Sequence, residues 1–66
     1  MELTIHGSEY DITNLVSYLA MMSDVKIGQP AKDKDKIKLS LTVKGDCVQF
    51  AKYVADKYGC TARISL

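Results

Sequence analysis

A strand, a glycine turn and the start of a helix occur twice in this chain, and this repeat limits the folds open to it. Residues 3–7 read LTIHG and residues 41–45 read LTVKG. A polar residue that can cap a helix, Ser8 or Asp46, follows each copy. Apolar residues at helical spacing come next in both copies. The sequence therefore predicts two strand–turn–helix units.

Alternation of apolar and polar residues predicts four strands. They lie at residues 2–6, 25–27, 36–44 and 61–66. Between the second and third strands, Pro30 and the alternating lysines and aspartates of residues 32–35 predict a hydrophilic connection. As an extended arm, this segment would project its lysines to one side and its aspartates to the other.

Two helices are predicted between the strands. The first begins at Ser8 and ends near residues 23–24, and the second begins at a capping box of Asp46 and Gln49 and ends at Gly59. The expected core face of the first helix comprises Ile12, Leu15, Val16, Leu19 and Met22. That of the second comprises Cys47, Phe50, Ala51, Val54 and Tyr58.

The element order β-α-β-β-α-β predicts an α+β fold in a single domain that spans residues 1–66. Two interleaved βαβ units with right-handed crossovers form a ferredoxin-like two-layer sandwich. Its four-stranded antiparallel sheet has the order 4-1-3-2, with both helices on one face.

Composition and motifs exclude several classes of protein. An apolar content of 47% is ordinary for a folded domain, and no apolar run approaches the length of a membrane span. With Met1 opening the chain and no leader apparent, we expect a cytoplasmic protein. The two cysteines flank the second helix, too far apart for a disulfide or a shared metal. We expect buried thiols, with Cys47 the better candidate for a reactive one because a helix N-terminus lowers a thiol pKa.

The sequence contains few candidate catalytic residues. His6 is its single histidine, and no carboxylate or nucleophile accompanies it in the sequence. Gly7 and Gly45 read as turn glycines, and no phosphate-binding or dinucleotide-binding glycine pattern is present. We expect no enzyme, no cofactor and no metal.

The split βαβ plan resembles heavy-metal-associated domains and RNA-recognition modules, and ACT-type regulatory domains share its topology. The Cys-x-x-Cys of the first family and the strand aromatics of the second are absent here. The matching strands carry Thr4, His6, Lys38, Ser40 and Thr42 instead. The opening strand with Gly7, Ser8, Asp11 and Ile12 also resembles short proteins carried by phages and mobile elements.

One face of the first helix is the leading candidate for binding. It lies away from the core stripe, carries no charge and comprises Tyr10, Asn14, Ser17, Tyr18 and Met21. Tyrosine and methionine are enriched in interface cores, whereas charge is depleted there. This face therefore predicts a protein-docking patch, although scattered apolar residues are also common on monomers.

The uncovered face of the predicted sheet is the second candidate. Its basic residues are Lys26, Lys36, Lys38, Lys44 and Arg63. A basic, hydroxyl-rich sheet can lie on phosphates, but any uncovered sheet face must be polar.

We therefore expect a non-enzymatic protein-binding module. Together with the small size of the chain, the phage resemblance implies an inhibitor of a host defence protein, of the anti-CRISPR kind. Nucleic-acid binding by the sheet is the alternative, and no membrane partner is expected. The last strand is an expected sheet edge that can pair with a second copy, which leaves a homodimer open.

Overall fold

The computed structural model describes residues 1–65, with side chains up to Ile64, and shows an α+β fold with five strands and two helices. Leu66, which the prediction included in the last strand, lies outside the described residues. The strands are β1 (Glu2–Gly7), β2 (Val25–Ile27), β3 (Ala31–Asp33), β4 (Lys36–Val43) and β5 (Thr61–Ser65). The helices are α1 (Glu9–Leu19) and α2 (Val48–Lys57), and a short 3-10 helix (Gly45–Cys47) precedes α2.

All strand pairs are antiparallel, and the sheet runs in the order β2-β4-β1-β5. β3 pairs with the same edge of β4 as β2 does, but farther along it. Four strands were predicted, so the prediction of the strand count was wrong. The segment predicted to be a hydrophilic connection contains β3, which forms a hairpin with β4. The turn of this hairpin consists of Lys34 and Asp35. Lys34 adopts a φ of 60° there, a conformation that glycine or asparagine usually adopts. Because a lysine occupies this position, the sequence does not indicate a turn.

A single hydrophobic core joins one face of the sheet to both helices. Its largest fully buried side chains are Leu3, Ile5, Leu15, Leu19, Leu39 and Leu41. Alternation along β1 and β4 places these strand leucines and the isoleucine on one face, as predicted. The opposite face of the sheet is uncovered.

Helix α1 begins as expected but ends early. The backbone N–H of Asp11 donates to the hydroxyl of Ser8 over 3.1 Å, which is the predicted N-cap bond. The helix ends at Leu19 rather than near residues 23–24. The N–H groups of Met21 and Met22 bond to carbonyls three residues back, so the chain tightens into a turn. Met22 still packs against the core.

Helix α2 differs from its prediction at its start and in its rotation. The 3-10 helix occupies the position of the expected capping box, and the N-cap, Cys47, makes no side-chain capping bond. The buried residues are Val48, Ala51, Val54 and Ala55. Phe50, predicted to lie in the core, is 44% exposed. Both sets repeat at helical spacing, and the helix turns its smaller residues toward the sheet.

Candidate protein-binding surface on the helix layer

Exposed apolar side chains concentrate on the helix layer. Seven large hydrophobic residues are exposed in the part of the chain that the structure describes, and five of them belong to the helices or the turn after α1. These five are Tyr10, Tyr18, Met21, Phe50 and Tyr53. Both helices pack on the same sheet face, so these side chains lie on the layer of the molecule opposite the open face of the sheet.

A cleft lies at the centre of this surface, between α1 and α2. The aromatic cleft, as we call it, has a volume of about 260 Å³ and is lined by Tyr18, Phe50, Tyr53, Val54, Lys57 and Tyr58. The rings of Tyr18 and Tyr58 pack against each other, with centroids 6.0 Å apart and planes tilted by 49°. This is the tilted arrangement that aromatic pairs favour. The packed rings of Tyr18 and Tyr58 therefore form one side of the cleft between the two helices.

The core positions of α2 determine which of its residues line the cleft. Burial of Val48, Ala51 and Ala55 turns Phe50, Tyr53 and Lys57 toward α1, because these three recur at helical spacing on the adjoining side. Tyr53 is 62% exposed. The sequence prediction assigned Phe50 to the core and missed this cleft. The sequence feature that could have indicated the cleft is the aromatic pair at positions 50 and 53, since residues three apart lie on the same side of a helix.

The five residues predicted on α1 separate into two groups. Tyr18 lines the aromatic cleft, whereas Tyr10 and Met21 are 77% and 80% exposed outside it. Asn14 is half-buried, and the Ser17 hydroxyl donates to the carbonyl of Thr13 within the helix. Three of the five residues therefore present apolar surface, but only Tyr18 reaches α2.

Charge is distributed asymmetrically around the cleft. The first turn of α1 contains Glu9 and Asp11, and its last turn contains no base. The last turn of α2 contains Lys57, which lines the cleft. Asp11 lies beside Gly59 after the end of α2, whereas Glu9 borders the opposite side of α1, and Lys57 is the charged residue that lines the cleft.

A second groove lies on the other side of α1, between the helix and the sheet. Its volume is about 390 Å³, and its lining is mainly apolar; of the apolar residues, Val16, Ile27, Pro30 and Ile37 are half-buried or exposed. Of its lining residues, only Ser17 belongs to the docking face that the sequence predicted. Its shape allows an apolar side chain to enter, but nothing in its lining selects one occupant.

Four of the five predicted basic residues lie on the open face of the sheet, with Lys26 and Lys36 near opposite ends of β4. Lys26, Lys36, Lys38 and Arg63 are exposed at alternating positions on β2, β4 and β5. His6 lies opposite Lys38, as the alternation requires. Asp33 of β3, however, lies opposite Lys36 and adds an acid that was not expected there.

Lys44, the fifth predicted base, is bound to a carboxylate. Its Nζ lies 3.2 Å from Oδ1 of Asp24 in an exposed ion pair. The hydrogen bond to Asp24 and the charge of Asp24 raise the pKa of Lys44. The pair's contribution to stability is therefore complete below the pKa of the unfolded lysine and is lost as the pH rises through the folded value, and as an exposed pair it is small. Lys44 would have to leave Asp24 to bind a phosphate.

Neither cysteine has the environment of a nucleophile. The Sγ of Cys47 lies 4.0 Å from Oδ2 of Asp24. Burial raises the pKa of Cys47, and the charges of Asp46 and Asp24 raise it further. Burial also raises the pKa of Cys60. A raised pKa leaves less thiolate at neutral pH, contrary to the lowering that a helix N-terminus would cause.

We predict that both cysteines react slowly with iodoacetamide at pH 7 in the folded protein. Mass spectrometry of the alkylated protein measures the rate at each site, and the same protein in urea is the control. Alkylation of folded Cys47 faster than that of the unfolded chain would contradict this assignment.

Residues 1–65 contain no group of three or more His, Cys, Asp or Glu residues that could hold a metal ion. Over the same residues, neither helix is long and apolar enough to cross a membrane. Comparison with models of known protein families gives no match, and comparison with curated protein sequences gives none either.

Proposed function

We propose that this protein is a non-enzymatic protein-binding module whose helix layer is the docking surface, with the aromatic cleft at its centre. The observation that supports this proposal most strongly is the exposure of Phe50 and Tyr53 beside Tyr18. Phenylalanine and tyrosine bury 150–250 Å² each when covered, so leaving them in water forgoes stabilisation. Aromatic side chains around a pocket are also the residues that dominate binding energy at protein interfaces.

The chemistry of the cleft selects its partner. An apolar side chain of the partner fills the space between Tyr18, Phe50 and Tyr53, and a carboxylate beside it pairs with Lys57. A basic group of the partner then lies over Asp11, in the first turn of α1 and beside Gly59. Such complementary charges orient a complex and speed its formation.

A footprint of the bound partner tests this proposal. A tagged copy of the protein is used to capture its partner from the host cell, and hydrogen exchange is compared with and without the purified partner. We expect protection in α2 and in the C-terminal half of α1, with the strands unchanged. Protection confined to the open sheet face would contradict the proposal.

The biological role that we propose is inhibition of a host protein by a phage or mobile-element product, of the anti-CRISPR kind. The small size of the chain and the resemblance of its opening segment to such proteins support this role. We propose that it acts by occupying a surface of that host protein, a mode of inhibition that requires a docking surface rather than a catalytic group.

We also propose that the fold is a ferredoxin-like plan to which one hairpin strand has been added. The order β2-β4-β1-β5 supports this assignment, because it corresponds to the order 4-1-3-2 when β3 is left out. In that plan β3 extends the edge that β2 begins.

Nucleic-acid binding by the open sheet face is the second candidate function. The exposed group of Lys26, Lys36, Lys38 and Arg63 on one face supports it. Asp33 on the same face and the absence of aromatic residues among these positions weaken it, since stacking supplies much of the energy of single-strand recognition.

For this second function, we predict that any binding of oligonucleotides is lost in the double variant Lys38→Glu, Arg63→Glu and falls steeply with salt. Fluorescence anisotropy with single- and double-stranded oligonucleotides measures both effects. Lys57→Glu, a charge reversal on the helix layer, is the matched control and is expected to leave binding unchanged. No binding by the unmodified protein at low salt would exclude this function.

A further inference from the structure

The two edges of the sheet differ in their readiness to pair with another strand. At one edge, β2 and β3 run beside β4 with a break at residues 28–30, where the register shifts by one residue. Pro30 lies in this break, and Lys32 and Asp33 follow it. A bulge, a proline and charged residues are the devices by which proteins prevent edge-to-edge pairing. This edge is therefore protected.

The other edge, formed by β5, has none of these devices. β5 pairs with β1 in an unbroken register from Glu2–Ser65 to His6–Thr61, and with no other strand of residues 1–65. It contains no proline and no glycine, and Arg63 is its only charged residue. Ile64, on the helix side of this edge, is 38% exposed.

The hydrogen-bond pattern of β1 shows which backbone groups of β5 point outward. Met1 and Val43 exchange two backbone bonds of 2.8 Å, so the odd-numbered positions of β1 bond to β4. Its even-numbered positions therefore bond to β5, and they lie opposite Thr61, Arg63 and Ser65. The N–H and C=O groups of Ala62 and Ile64 are left to face outward. This row of donors and acceptors fits an extended strand.

We propose that β5 pairs with β5 of a second copy in an antiparallel arrangement, which joins the two sheets across a two-fold axis. Two identical strands are self-complementary when antiparallel, because a two-fold axis makes residue i of one copy meet residue j of the other and residue j meet residue i. With this axis perpendicular to the sheet, both pairs of helices lie on the same side of the joined sheet. The helix layers of both copies stay free for another partner.

The side chains select the register. An axis at Arg63 would place two guanidinium groups directly opposite each other, and like charges in that position are destabilising. An axis at Ala62 pairs Ala62 with the partner's Ala62 through two backbone bonds. Arg63 then faces the partner's Thr61, and the edge position of Ile64 is covered. We therefore expect the dimer to form about Ala62 rather than about Arg63.

Sedimentation equilibrium over a concentration series tests the pairing. We expect a mass that rises from one chain toward two. Ile64→Pro removes an outward N–H without removing a bond to β1, and the two-fold axis doubles the loss, so we expect the dissociation constant to rise at least about tenfold. Ile64→Lys, which adds a charge to the edge, is a second variant with the same expected outcome.

Circular dichroism confirms that each variant is folded. Tyr53→Ala, which alters the helix layer and leaves the edge intact, is the matched control and should dimerise normally. A protein that stays monomeric up to about 1 mM would overturn the proposal. So would a dimer that Tyr53→Ala dissociates and Ile64→Pro does not.

Charge substitution at Thr61 tests the register separately. With the axis at Ala62, Thr61→Glu places a carboxylate opposite each Arg63 and should tighten the dimer. Thr61→Lys places a like charge there and should weaken it. Insensitivity of the dissociation constant to both substitutions would overturn this register.

Discussion

The double variant Phe50→Ala, Tyr53→Ala is expected to bind the partner protein at least about a hundredfold more weakly than the unmodified chain. Both rings line the aromatic cleft, so their removal leaves an apolar side chain of the partner without a surface to contact. Truncation of a central aromatic residue at an interface commonly costs about 2 kcal/mol or more. Isothermal titration calorimetry with the purified partner measures the change in affinity.

The fold should survive this double substitution. Phe50 and Tyr53 are 44% and 62% exposed, and alanine favours the helix that both occupy. Gln49→Ala, at an exposed position of the same helix outside the cleft, is the matched control and should bind normally. A double variant that binds within about twofold of the unmodified protein would refute docking through the cleft.

Gly7→Ala is expected to destabilise the protein by about 1–3 kcal/mol, although it adds only one methyl group. A Cβ atom at Gly7 would lie 2.8 Å from Sγ of Cys60 and 3.5 Å from Cγ1 of Ile12. Cys60 and Ile12 are both buried, so neither side chain can move into solvent. Denaturant unfolding measures the loss, which is a large fraction of the few kcal/mol that a domain of this size has.

Two further variants isolate the cause. Gly45→Ala is the matched control from the second copy of the repeat: a Cβ atom there would meet nothing within 4 Å, so we expect stability to be unchanged or slightly raised. Cys60→Ala removes the sulfur that obstructs the new methyl group, so Gly7→Ala should cost less in that background. Equal losses at Gly7 and Gly45 would contradict the steric explanation.

The repeat and the alternation predicted most of the fold because burial determines both patterns. In β1 and β4, every second side chain is buried against the helices, and alternation in the sequence indicates the same residues. Ser8 caps α1 as predicted because its hydroxyl needs only the N–H of Asp11, three residues away. Interactions of this range are visible in a single segment of sequence.

The sequence predictions were wrong where a segment was compatible with two local structures. Residues 31–33 include charged side chains that favour a loop. They nevertheless form a strand, because the beginning of β4, Lys36–Lys38, provides backbone partners for them. Apolar residues of α2 form two overlapping stripes, and contact with the sheet decided between them. The position of Cys47 at a helix N-terminus made it the better candidate for a reactive thiol, but burial raises its pKa, and so do the charges of Asp46 and of Asp24, which comes from a distant part of the chain.

The candidate site was predicted in part. Tyr10, Tyr18 and Met21 are exposed, as the helical spacing of α1 indicated. The aromatic cleft was missed, because it needs Tyr18 from α1 together with Phe50 and Tyr53 from α2. The separation between two helices and their relative rotation are properties of the packed core, which no local pattern encodes.

The sequence by itself determined the succession of strands and helices apart from β3, the residues that fill most of the core and the two glycines of the repeat. Only the tertiary structure decided that Gly7 is packed against Cys60 whereas Gly45 has open space beside it, although both glycines end the same sequence repeat. It also turned α2 so that two aromatic rings face Tyr18 rather than the sheet. The physical reason is the range of the interactions: hydrogen bonds and spacing along one element are local, whereas close packing joins residues far apart in the chain.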